Sequence, residues 1–208
     1  MSELIQAYDN PPSEKAISKA LDVLNSGGIL AYPTDLNWGF GCDYANVRAI
    51  DKLQSLKPYH PKERPFSLLC SDLRMVSSVA NLDNTAYRLC KTIWPGPYTV
   101  LLQRNKNLAR QINDKRKIVG VRIPDSNLLR TLIERFSSPI LTTSIPDISE
   151  YNPLRYGYQV KELYNNRVDL ILDLDKEILG KESTVLDFST GELIVVREGA
   201  GSTDFLEK

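Results

Sequence analysis

The chain has 208 residues, 26 Lys and Arg against 26 Asp and Glu, and a hydrophobic fraction of 42%. A chain of this size buries about 70% of its unfolded surface, enough for a core without disulfides or a structural metal. The composition excludes disorder, collagen-like repeats and coiled coil. Zero net charge argues against a generic polyanion binder but leaves local patches open.

The segment Met1–Pro12 is polar and lacks the basic and apolar regions of a signal peptide, so none is expected and the chain reads as cytoplasmic. Apolar runs of a few residues fall far short of the roughly 20 needed to cross a bilayer. Ser13 to Ser26 reads as a capped helix with Ile17, Ala20, Leu21 and Leu24 at helical spacing, stopped by Gly27-Gly28. Ile29–Tyr32 is a short strand ended by Pro33, and Val47–Leu56 a second helix. Lys57–Pro65 holds three prolines in nine residues and must be irregular. Phe66–Cys70 reads as a strand, Leu73–Ala80 and Asn84–Ile93 as helices, and Tyr98–Leu102 as a strand after the turn Trp94–Pro97. Val119–Ile123, Ile140–Thr143 and Leu170–Leu172 read as strands, with helices at Asn127–Phe136 and Leu154–Tyr164. Thr184–Asp187 and Leu193–Val196 close the chain as a strand pair. This alternation predicts one α/β domain with a mixed sheet. Cys42, Cys70 and Cys90 form no CxxC motif, so three buried or half-buried free thiols are expected, and one His with scattered Cys supplies no zinc site.

Chemistry is expected in loops beside the strand ends. Pro33–Gly41, with Gly39 and Gly41, is either a structural turn or a backbone approach to a ligand. The cations of Lys57–Pro65 (Lys57, His60, Lys62 and Arg64) suit phosphate on a proline-stiffened loop, or simply face solvent. Arg104 to Arg122 carries seven cations against Asp114 alone. Arg110, Lys115, Arg116 and Lys117 read as a solvated face or as RNA contacts. Arg122 lies within an apolar strand, and its guanidinium is aimed at a ligand carboxylate or phosphate, or at a core acid. Thr142-Thr143-Ser144, Lys181–Thr184 and Arg197 place hydroxyls and a cation at further strand ends.

These segments occur in order: Pro33-Thr34-Asp35-x-x-Trp38-Gly39-x-Gly41, Trp94–Thr99, Val121–Pro124, Thr143-Ser144, Glu182–Val185 and Arg197-Glu198-Gly199. Together the set resembles the YrdC/YciO family across residues 13 to 201, closer to the YciO branch, with residues 1–208 as one domain. The resemblance implies a single three-layer α/β domain with a twisted mixed β-sheet around a basic cavity. It implies a nucleotidyltransferase that condenses ATP, L-threonine and bicarbonate to threonylcarbamoyl-adenylate and pyrophosphate, for modification of adenosine 37 in tRNA. ATP would enter as substrate with Mg²⁺, and no protein metal site is expected. The alternative it implies is a double-stranded RNA- or tRNA-binding protein that uses the cavity rim without turnover. By the same resemblance Thr34, Arg122, Thr142 and Ser183 would bind the amino acid, with Arg122 on its carboxylate. Ser144 and Arg197 would bind nucleotide, and Lys57 and Arg64 would act as catalytic cations. Leu36 stands where the family carries Thr, and Pro146 where it carries Asn.

Overall fold

The computed structural model describes residues 1–56, 66–106, 117–145 and 154–206. Its elements in chain order begin with β1 (Glu3–Gln6), α1 (Glu14–Asn25), β2 (Leu30–Pro33), β3 (Trp38–Asp43), α2 (Val47–Ser55) and β4 (Ser67–Leu69). They continue with α3 (Leu73–Val79), α4 (Asn84–Ile93), β5 (Tyr98–Gln103), β6 (Ile118–Arg122), α5 (Asn127–Phe136) and β7 (Ile140–Ser144). Last come α6 (Gly157–Tyr164), β8 (Leu170–Asp173), β9 (Thr184–Asp187), β10 (Ile194–Arg197) and a 3₁₀ turn at Asp204–Leu206. The ten strands form one mixed sheet in the order β1-β8-β2-β3-β7-β4-β6-β5-β9-β10.

The helices start where short polar side chains take up free backbone N–H groups. Asn46, Asp72, Asp83 and Ser126 each accept from the amide three residues on. Ser13 was expected to cap α1, and it occupies that position without a side-chain bond. Asp9 reaches across to the start of α5, accepting from Ser126 Oγ at 2.6 Å and Leu128 N at 3.0 Å.

Strand alternation divides the core into two apolar clusters, one on each face of the sheet. Leu30, Tyr32, Leu170 and Leu172 pack with residues of α1 and α5. Ala31, Phe40, Val100, Val121 and Ile171 pack with residues of α2, α3, α4 and α6. The result is the expected three-layer α/β domain. Cys42, Cys70 and Cys90 are free and buried. No helix among the described residues is long and apolar enough to cross a membrane.

Two sequence expectations are corrected. Residues 38 to 41, read as part of the loop Pro33–Gly41, belong to β3, which pairs with β2 and β7. The glycines suggested a turn, but they serve close packing. A Cβ on Gly41 would lie 2.6 Å from both Ile140 Cγ2 and the Tyr32 hydroxyl. The polar N-terminus likewise contains a strand, β1, which pairs in parallel with β8.

Candidate functional site

The cluster beneath α1 and α5 ends at Leu69 of β4 and takes no residue from β6, β5, β9 or β10. Val119 and Val121 of β6, and Val100 and Leu102 of β5, all point into the opposite cluster. Period-two alternation therefore turns Gly120, Arg122 and Thr99 toward the face opposite Val100 and Val121, beyond the reach of this cluster. Register brings them together, because Gly120 pairs with Ser67 on one side and Leu101 on the other. A Cβ on Gly120 would lie 2.9 Å from Ser67 Oγ and 3.4 Å from Thr99 Cγ2, so a larger residue here would crowd both side chains.

Arg122, at the end of β6, is 7% exposed. Its Nη2 donates to both carboxylate oxygens of Asp35, at 2.6 and 2.7 Å, and its Nε donates to Gly96 O at 3.2 Å. Asp35 is held out by a local turn. Thr34 Oγ1 accepts from the amides of Leu36 and Asn37 and donates to Asn37 O at 2.8 Å. The turn is anchored where Leu36 O accepts from Lys181 N at 3.1 Å. Burial raises the Asp35 carboxyl above its ordinary value against the pull of Arg122. Burial also lowers Arg122, opposed by Asp35. Of the readings open for Arg122, an ion pair with an acid is realised in the free protein.

Ser183 Oγ shares a 2.9 Å hydrogen bond with Thr99 Oγ1. Arg197 donates to Ser183 O from Nε and Nη2, at 3.1 and 2.8 Å, and pairs with Glu182 through Nη1 at 3.0 Å. Thr142 donates to Phe40 O at 3.0 Å and meets the Tyr32 hydroxyl at 2.7 Å. Ser144 is exposed and accepts from Asn37 Nδ2 at 3.4 Å. The fold thus gathers the expected residues in two linked groups. Thr34 and Ser144 meet through Asn37, while Ser183 and Arg197 lie beside Thr99, a neighbour of Gly120. The hydroxyls of Thr34 and Thr142 are engaged within the protein. Lys117 is exposed at the start of β6, and Lys57, Arg64, Arg110, Lys115, Arg116 and Pro146 lie outside the described residues. The described residues contain no group of three or more His, Cys, Asp or Glu that could hold a metal ion.

Asp35 and Thr99 belong to this site and were assigned no role from sequence. Thr99 had a legible signal, being a polar residue between apolar neighbours in a strand. Asp35 sat in the quoted motif, but nothing local pointed it toward Arg122.

A three-layer α/β fold with a buried arginine on a hydroxyl-lined sheet face defines the class of protein. Residues 22–199 match the Sua5/YciO/YrdC family model, described as telomere recombination, and the chain belongs to that family. Escherichia coli YciO is 31% identical over 97% of both chains. Its crystal structure superposes with a TM-score of 0.88 at 30% identity, covering 98% of each chain. A threonylcarbamoyl-AMP synthase of Marinobacter nauticus is 29% identical, over 89% of this chain and 98% of its own. The crystal structure of P. abyssi Sua5 complexed with L-threonine has a TM-score of 0.86 at 25% identity, covering 99% of this chain and 60% of that one.

Proposed function

We propose that the protein is a nucleotidyltransferase of the threonylcarbamoyl-AMP synthase type. The observation that carries this reading is Arg122. Its guanidinium is buried beside the hydroxyl-bearing end of the sheet, and Nη1 has no hydrogen-bond partner among the described residues. A planar cation with one free arm recognises a carboxylate. Family membership and the likeness to the L-threonine complex of Sua5 support threonine as the source of that carboxylate.

In this reading threonine amine and bicarbonate condense with loss of water to a carbamate. A carbamate oxygen then attacks the α-phosphorus of ATP, and pyrophosphate leaves. Ser183 and Thr99 lie beside the amino acid, and Arg197 and Ser144 face the nucleotide. Mg²⁺ would arrive on the phosphates of the nucleotide substrate. The protein's contribution is orientation and neutralisation of charge. Leu36 removes a hydroxyl at the turn, but the turn uses its backbone, so the geometry around Asp35 is kept.

The test is pyrophosphate release from ATP, L-threonine and bicarbonate. Release that depends on threonine, and that falls about 10- to 100-fold in Arg122→Ala, is the expected result for loss of a charge-assisted contact. Threonine-independent release, or an Arg122→Ala protein as active as the wild type, would overturn the assignment.

A further inference from the structure

The Arg122–Asp35 contact is an incomplete fork. Two planar groups that serve only each other make two parallel bonds from two nitrogens. Here both oxygens of Asp35 crowd onto Nη2, and Nη1 stays without a partner among the described residues. The Asp35 side chain keeps 17% of its surface accessible, so the pair is not sealed. An acidic acceptor thus lies beside a cationic donor that has no partner among the described residues.

This arrangement suits a ligand that carries both signs. Carboxylate and ammonium of an α-amino acid are attached to one carbon, so a carboxylate on Nη1 sets its ammonium beside the acceptor already held at Nη2. We propose that Arg122 and Asp35 form a zwitterion clamp in which Arg122 takes the carboxylate and Asp35 takes the α-ammonium. The inference rests on the function proposed above and adds to it a selecting residue. Asp35 makes the site choose amino acids over carboxylic acids that lack the amine.

Calorimetry with L-threonine and 3-hydroxybutanoate, the same skeleton without the amine, tests this on the wild type alone. The wild type should bind threonine at least about tenfold more tightly, as expected for one charge-assisted contact. The isosteric Asp35→Asn should weaken threonine about tenfold and leave 3-hydroxybutanoate unchanged or tighter, because Arg122 is no longer neutralised. Equal binding of the two ligands by the wild type would overturn the clamp. So would Asp35→Asn weakening both alike, the mark of a purely structural role. Arg122→Ala separates the two failures. Threonine binding that needs Arg122 but shows no preference for the amine sinks the clamp alone. Absent binding, or binding indifferent to Arg122, sinks the functional reading as well.

Discussion

Nη2 of Arg122 lies 2.6 Å from Oδ1 of Asp35, a residue 87 positions earlier in the chain. The pair ties the turn after β2 to the end of β6, so it contributes to the fold as well as to recognition. Removing one partner leaves the other charge largely buried. Arg122→Ala and Asp35→Ala are each expected to cost about 3 kcal/mol, and the double variant less than the sum. Urea unfolding of the three variants measures the coupling, and strict additivity would show that the two residues stabilise the fold independently.

Two glycines should respond differently to an added methyl group. Gly41→Ala meets Ile140 and the Tyr32 ring and hydroxyl inside the packed face, and is expected to cost about 1–3 kcal/mol. At Gly120 the nearest atoms are Ser67 Oγ and Leu101 Cδ2, the ends of rotatable side chains. Gly120→Ala should leave the melting temperature nearly unchanged, because those ends can rotate away, and weaken threonine binding, because the methyl group enters the face that carries Thr99 and Arg122. A large loss of stability at Gly120 would mean that the face is packed rather than open.

Thr184 holds the C-terminal segment. Its hydroxyl donates to Gly201 O at 2.6 Å and accepts from the amides of Gly199 and Gly201, both at 3.0 Å, in a fully buried position. Thr184→Val keeps the shape and strands these backbone groups, at an expected cost of about 1–3 kcal/mol for each left unpaired. Hydrogen exchange should accelerate at the amides of Gly199 and Gly201. Unchanged protection there would refute the role assigned to the hydroxyl.

Burial pushes the Cys42 and Cys90 thiols from their ordinary value of 9.0 up to about 12, and it raises Cys70 as well. In the folded protein none should react with a thiol reagent near neutral pH, whereas all three should after unfolding. The sign of the pH dependence follows. Between 9.0 and about 12 the unfolded chain loses protons that the folded chain retains. The stability contributed by the protonated thiols is therefore complete below that window and declines as pH rises through it. Thermal melts in steps from neutral to alkaline pH check this, and a flat profile through the window would contradict it.

Helices were legible wherever an apolar stripe ran at helical spacing behind a short polar cap, as at Asn84–Ile93 and Asn127–Phe136. β3 was not, although Trp38, Phe40 and Cys42 alternate, because the intervening glycines imitate a turn. What gives those glycines their meaning is Tyr32 and Ile140 packed against them, and those neighbours come from other strands. At the site, Arg122 stood out as a guanidinium in an apolar strand, and Ser183 and Arg197 as polar groups at strand ends. Their partners were hidden, since Asp35, Thr99 and Gly96 approach them only through strand order.

The even balance of acids and bases, the alternation of strand and helix, and an arginine set among valines and an isoleucine are properties of the chain itself. They determine an α/β domain with an anion-seeking strand end. Which acid Arg122 meets, which arm of its guanidinium lacks a partner among the described residues, and which face of β5 and β6 lies outside the cluster under α1 and α5 depend on pairing between distant segments. Local propensity is indifferent to such pairing, and only the folded sheet decides it.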